Sequence, residues 1–308
     1  MFPEFEISSH DIYMEKGNFK SNLVLLLAAA IWGFAFVAQR KGAEYLGPYT
    51  FNALRFFIGA ISLLPIYAIT RNNKVNEQFQ WKKAIKSGLI LGLVLFIAST
   101  FQQIGMIYTE ASKAGFITSL YVILVPVFGL FIGRKVTKTL WAGALMAVLG
   151  LYLLSVRNGF NLELGDSLLI ASAVFFAFHM LLIGTFAPRH NIFLLSVFQF
   201  SVTAMLSLIA ALFYEEIRWE SIQQAAYPII YAGLFSVGIA YTLQAYAQKK
   251  AHPAHAAIIF SFESVFALIG GWLILNEVID LRAGIGGLFM LAGIIISQID
   301  FKKPIFKK

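Results

Sequence analysis

The 308-residue chain is 59% apolar and only 13% charged, against about 45–50% and 25% in ordinary soluble domains, which excludes a conventional water-soluble fold. Its formal charge of +8 comes from Lys and Arg spread over short loops and the C-terminal end rather than from one basic patch, so no nucleic-acid partner is expected. The absence of cysteine excludes disulfides, thiolate metal sites and cysteine nucleophiles, and no cofactor or metal is expected.

Residues 1–20 are polar and carry Glu4, Glu6, Asp11 and Glu15. A secretory signal needs a basic start followed early by an apolar core, so this segment reads as a tail. Ten apolar stretches follow, each near the length of about 20 residues that crosses a bilayer. They run Ser21–Gln39, Thr50–Thr70, Ala84–Tyr108, Ala111–Ile132, Thr139–Val156, Asp166–Phe186, Ile192–Tyr214, Tyr227–Gln248, Ala254–Leu275 and Ala283–Ile299. Pro65 and Pro126 fall inside spans and are expected to bend them, while Trp81 and Trp219 suit the membrane interface. Most of the 24 Lys and Arg lie in the N-tail, the even-numbered loops and the C-tail. That bias puts both termini in the cytoplasm of a multi-pass protein of the cell (cytoplasmic) membrane, as an even number of spans requires.

The two halves repeat. LLLAAAIWGFAF from Leu25 lines up with LLIASAVFFAFH from Leu168, Thr100-Phe101-Gln102 with Thr242-Leu243-Gln244, Pro126-Val127-Phe128 with Ser264-Val265-Phe266, and Gly143 and Gly150 with Gly286 and Gly293. A five-span unit copied in tandem re-enters the membrane upside down, an arrangement known in carriers whose site lies between the repeats at the midplane. The fold class is therefore an all-α polytopic membrane protein with ten transmembrane helices in two inverted five-helix repeats. The repeats occupy 21–156 and 165–299, between a cytoplasmic N-terminal tail (1–20) and a basic cytoplasmic C-terminal tail (300–308).

Two stretches hold polar residues at helical spacing inside apolar runs: Thr100 to Pro126, and Thr242 to Val265. Glu263 lies mid-span with no other charge for a full turn either way. An intramembrane carboxyl costs several kcal/mol unless hydrated or paired, roughly in line with insertion scales, and marks a functional site by default. It either binds a solute ammonium or takes up a proton, or it is a structural glutamate bonded to a neighbouring helix. Gln102 and Gln244 occupy matching places and either face a cavity that holds a polar or zwitterionic solute or act as interhelical glue. His179, among phenylalanines, is either an interhelical donor or a second titrating group. Trp32, Tyr121, Phe175 and Tyr241 are candidates for an aromatic pocket. Gln103 and Gln199 are assigned to packing, Glu110 to an ion pair with Lys113, and His255 to a solvated cytoplasmic end. Arg55, about two turns into its span, is read as an anchor whose side chain snorkels outward.

WGFAFVAQRKG at Trp32, GPYTFNALRFFIGA at Gly47, QQIGMIYTEASKAGFITSLYVILVPVFG at Gln102 and FSFESVFALIGGWLILNE at Phe260 resemble the EamA-type drug/metabolite transporters across residues 21–299. The resemblance implies ten helices in inverted repeats, a cavity lined by helices 1, 3, 4, 6, 8 and 9, alternating access, and movement of small metabolites, often amino acids, commonly outward. One departure is Gly133-Arg134-Lys135, where many members carry an ending like Leu275-Asn276-Glu277.

Enzyme chemistry finds no support. The chain has no pair of aspartates inside apolar spans, no His-Glu-x-x-His, no Gly-x-Ser-x-Gly and no phosphate loop. The expected function is a secondary, non-ATP transporter. Its partners are a small-molecule solute, the lipid bilayer and protons as a candidate coupling ion, and it acts as a monomer or homodimer. The alternatives are proton-coupled or facilitated uptake and a membrane-embedded lipid-handling role.

Overall fold

Apolar segments cannot leave backbone N–H and C=O groups bare in hydrocarbon, so they close their hydrogen bonds within helices. The computed structural model describes residues 19–70, 77–155, 163–278 and 281–298, and among them there is no strand. The expected tails fall outside these residues, apart from Phe19 and Lys20 at the start of the first helix.

The main helical segments are α1 (Phe19–Gly42), α2 (Pro48–Thr70), α3 (Glu77–Tyr108), α4 (Ala111–Phe131), α5 (Lys138–Ser155), α6 (Leu164–Phe186), α7 (Ile192–Tyr214), α8 (Ala226–Gln248), α9 (Pro253–Leu275) and α10 (Leu281–Gln298). A short turn of helix, Trp219–Gln224, precedes α8. Eight of the segments are long and apolar enough to cross a membrane; α5 and α10 have shorter apolar stretches, Lys138–Leu153 and Gly284–Ser297. Large apolar side chains point outward along them, among them Phe57, Leu93, Leu145, Leu208, Leu273 and Leu288. Such a surface is incompatible with water at this extent, and the chain is a multi-pass membrane protein.

Three segments are interrupted. In α4 the first piece ends at Thr118 and the second starts at Tyr121; in α9 the first ends at Phe260 and the second starts at Glu263. Both joints tighten to i→i−3 bonding. Leu120 N donates to Ile117 O and Val122 N to Ser119 O, just as Phe262 N donates to Ile259 O and Ser264 N to Ser261 O. The side chains of Ser261 and Ser264 bond back to the carbonyls of Ile258 and Ser261, both at 2.7 Å, which helps satisfy backbone groups that a broken helix exposes. Pro126, where the sequence predicts a bend, lies inside the second piece, and the discontinuity falls at Ser119–Leu120. The third interruption was not foreseen: residues Tyr231–Ala240 of α8 wind as a π-helix.

Helices pack in matched pairs. α2 lies against α7 and α5 against α10; α1 meets α9 as α6 meets α4; α3 meets α6 and α7 as α8 meets α1 and α2. Polar side chains donate to α3 backbone carbonyls from three neighbours. Asn52 Nδ2 reaches Ser99 O (3.1 Å), Ser172 Oγ reaches Ala98 O (2.9 Å) and Thr203 Oγ1 reaches Gly92 O (3.0 Å). Such interhelical bonds substitute for the hydrophobic force that lipid removes.

The α5–α10 seam is built on bare backbone. A Cβ on Gly143 would lie 2.6 Å from Gly293 O, one on Gly293 would lie 2.7 Å from Gly143 O, and one on Gly150 would lie 2.5 Å from Gly286 O. Residue numbers rise along one helix as they fall along the other, so the two run antiparallel. Gly143→Ala is therefore expected to destabilise the purified protein by about 1–3 kcal/mol, the usual range for overpacking. Gly284→Ala, where a Cβ meets nothing within 4 Å, should be neutral or stabilising because alanine favours helix. Thermal unfolding of the two variants in detergent checks the contrast.

Candidate functional site

The joints of α4 and α9 face each other. Glu263 opens the second piece of α9, at the positive end of that half-helix, where the helix dipole favours negative charge. Its carboxylate Oε1 accepts from Tyr121 Oη (2.9 Å) and from Ser119 Oγ (3.3 Å), and Ser119 Oγ also lies 3.5 Å from Ser261 O. Both donors belong to the α4 joint. No described protein donor reaches Oε2. Glu263 is 4% exposed, so water gives it little relief, and these hydroxyls supply part of what hydration otherwise would. Close approach of α1 to this joint requires Gly33, where a Cβ would lie 2.6 Å from Glu263 O.

Glu263 lines a cavity together with Trp32, Gln102, Tyr121, His179, Tyr241 and Gln244, which are the seven residues singled out from the sequence. The remaining lining residues are Ala35, Phe36, Gln39, Arg55, Thr118, Phe176, Met180 and Ser236. The lining comes from α1, α2, α3, α4, α6, α8 and α9; α2 is an addition to the six expected helices. Phe175 is not part of the lining and stacks instead on Phe101 (6.0 Å).

The walls are aromatic and polar by turns. Tyr241 packs on Trp32 (4.8 Å between centroids), Phe200 (5.8 Å) and His179 (5.9 Å). Trp32 Nε1 donates to Ser236 O within the π-helical stretch (3.2 Å). His179 Nε2 lies 2.9 Å from Gln199 Oε1, so Gln199 packs as expected while orienting a cavity residue. Gln103 Nε2 donates to Gln39 O (3.1 Å), also a packing role. Several buried lining atoms have no protein partner: Gln39 Oε1, Arg55 Nε, Thr118 Oγ1, His179 Nδ1 and Gln244 Oε1. Buried polar atoms are rarely left alone in a finished core, and these five can answer a polar solute, although others of the kind, such as Asn52 Oδ1 and Gln248 Oε1, lie outside the lining.

Three readings from the sequence are corrected. Arg55 does not snorkel: it is 3% exposed and lines the cavity, with its guanidinium over the rings of Phe51 (5.7 Å) and Phe56 (5.0 Å). At about 1.5 Å per residue it sits roughly 10 Å below the start of α2, and aromatic neighbours turn it inward. Lys113 pairs with Asp166 at 2.9 Å, not with Glu110; the helical start of α6 brings a buried acid closer than the loop does. His255 is 1% exposed and lies between Asn22 Oδ1 (3.0 Å) and Ser297 Oγ (3.2 Å), so it ties three helix ends together rather than meeting solvent. Arg55 could have been found by the intramembrane-charge argument that singled out Glu263. Gln39, Thr118 and Ser236 carry no comparable signal.

The rims are closed by charges at helix ends. On the side where α1 ends and α2 begins, Glu277 accepts from Ala111 N (3.0 Å) and Ser112 N (3.3 Å) at the start of α4, and Glu215 accepts from Tyr49 N and Thr50 N (both 2.8 Å) at the start of α2. On the opposite side Arg134 donates to Leu181 O (3.3 Å) and Thr185 Oγ1 (2.8 Å) near the end of α6. Acids at helix N-termini and a base at a C-terminus both complement the helix dipole. The Arg134 that departs from the family pattern thus serves a different kind of helix end.

A family model for the EamA-like transporter family matches residues 19–156 and again 163–298; the chain belongs to this family. An uncharacterized transporter of Archaeoglobus fulgidus is 31% identical over 280 residues, 91% of this chain and 86% of that protein. The uncharacterized transporter YoaV of Bacillus subtilis is 24% identical, over 92% of this chain and 98% of its own length. A crystal structure with 18% identity superposes with a TM-score of 0.73 over 90% of this chain and 96% of that one, which shows a shared fold. These relatives make the protein a membrane transporter.

The carboxylate contact makes a measurable demand. Tyr121→Phe and Glu263→Ala, combined in a double-mutant cycle on thermal stability, should show coupling on the order of 1 kcal/mol, within the range for buried interhelical bonds. Additive effects would mean that the two groups do not share a bond in the membrane.

Proposed function

We propose that the protein is a secondary carrier of small metabolites such as amino acids, exporting them by alternating access across the cell membrane with both termini cytoplasmic. All ten helical segments then cross the bilayer. At about 1.5 Å per residue, the 18 residues of α5 and of α10 reach roughly 27 Å, close to the thickness of about 30 Å they must span. The helix pairing supports two five-helix halves. Adding five to each helix number, and wrapping past ten, turns one set of contacts into the other, with α2–α7 and α5–α10 pairing with their own counterparts. The antiparallel α5–α10 seam supports inversion, because copies of one orientation would place these counterparts parallel.

The observation that carries the reading is the contact of Glu263 with Tyr121 and Ser119 where two broken helices meet at a cavity. Broken helices at a repeat interface are where carriers of this architecture hold their solute. Rearranging the halves moves Glu263 relative to the α4 hydroxyls, so binding and release of a cation or proton at this carboxyl is coupled to the motion. Gln102, Gln244 and Thr118 supply uncharged contacts, while Trp32 and Tyr241 give the solute an aromatic wall.

Proteoliposomes holding the purified protein should move labelled amino acids down an imposed gradient without ATP. In coupled transport, a pH gradient should drive accumulation in the wild type and fail to do so in Glu263→Gln. Wild-type flux and pH dependence in Glu263→Gln would make the residue structural. Vesicles of known sidedness give the direction, and export requires faster flux from the face bearing the termini.

A further inference from the structure

Arg55 raises a question that the carrier reading leaves open. A guanidinium remains charged in proteins, and burying one without a counter-ion is costly. Yet Arg55 is 3% exposed and makes no ion pair among the described residues, and its Nε has no partner. Ring faces at 5.0 and 5.7 Å soften that cost, because the electron-rich face of an aromatic attracts a cation, but they leave the in-plane N–H groups free. Glu263 shares the cavity with it and is held by hydroxyls rather than by the guanidinium. The lining thus carries one acid and one arginine that do not neutralise each other. A set of rings continues along the wall from Arg55: Phe56, under its guanidinium, lies 6.4 Å from Tyr241, which lies 4.8 Å from Trp32.

We propose that Arg55 is the anion-binding residue of the cavity and that the solute spans it, with a carboxylate on Arg55 and an ammonium on Glu263. The assignment rests on the carrier reading above and adds to it the solute's charge pattern and its orientation. The planar fork of the guanidinium matches a carboxylate through two parallel bonds. A single cationic side chain of this strength suits one negative charge better than a doubly charged phosphate. A solute with only one of the two charges leaves either Arg55 or Glu263 buried and unanswered, and such a mismatch is what allows a polar site to reject near-analogues strongly.

The test separates the two ends of the ligand. Binding to the purified wild-type protein is measured across the common L-amino acids, and for L-phenylalanine, chosen for the aromatic wall, against phenethylamine and 3-phenylpropionate. Arg55→Gln should weaken L-phenylalanine at least tenfold and strengthen phenethylamine, which no longer leaves a guanidinium unanswered, while Glu263→Gln should weaken both and strengthen 3-phenylpropionate. Arg55→Lys, which keeps the charge but loses the fork, should recover part of the loss. Melting temperatures without solute verify that each variant is folded. If Arg55→Gln weakens L-phenylalanine and phenethylamine by the same factor, Arg55 is structural and the assignment falls. It also falls if no L-amino acid binds. Carriage of singly charged amines or acids in that case would overturn the assignment while leaving the transport function standing.

Discussion

The structure turns on one carboxylate that hydrocarbon does not tolerate and two hydroxyls that make it tolerable. Glu263 sits at the start of a half-helix, with Tyr121 and Ser119 of the facing half-helix donating to the same oxygen. Without the joint in α4, Tyr121 and Ser119 would follow one helical course and their hydroxyls would have no fixed reason to converge. Without the joint in α9, Glu263 would lack the favourable end of a helix dipole. The breaks, the polar contact and the cavity are therefore one feature. The glycine at position 33 belongs to it as well, because α1 closes the cavity only by lying directly on the backbone of the α9 joint.

Around this centre the helix ends are fastened by charge. Glu277 and Glu215 cap the starts of α4 and α2 on one rim, and Lys113 joins Asp166 nearby; on the other rim Arg134 and His255 tie helix ends together. Glu215 and Glu277 are partly exposed, whereas Asp166 and His255 are buried. The helix-to-helix carbonyl bonds of Asn52, Ser172 and Thr203 are buried within the bundle.

Much of this was legible in the sequence. Apolar length marked the helices to within a few residues at most ends, because a bilayer imposes one period and one length. Intramembrane polarity marked Glu263, Gln102, Gln244 and His179, since each is conspicuous in an apolar run. What stayed hidden depends on three-dimensional neighbours. Arg55 reads as a snorkelling anchor because the chain order does not show that its face of α2 turns to the cavity rather than outward. The joint at Ser119–Leu120 has no proline to announce it, because i→i−3 turns make it. The π-helical winding of α8 has no residue pattern of its own. Lys113 found a partner fifty-three positions away that no local spacing could reveal.

The absence of native cysteine makes the central claim directly accessible to measurement, because a single introduced thiol reports alone. Gln102→Cys and Gln244→Cys, placed one at a time in sealed vesicles of known sidedness, are exposed to a membrane-impermeant thiol reagent with and without transported solute. If the opposed joints enclose an aqueous site that opens to each side in turn, both thiols react, and bound solute slows the reaction. Labelling only by a lipid-soluble reagent, with no effect of solute, would put these positions against lipid and contradict the account.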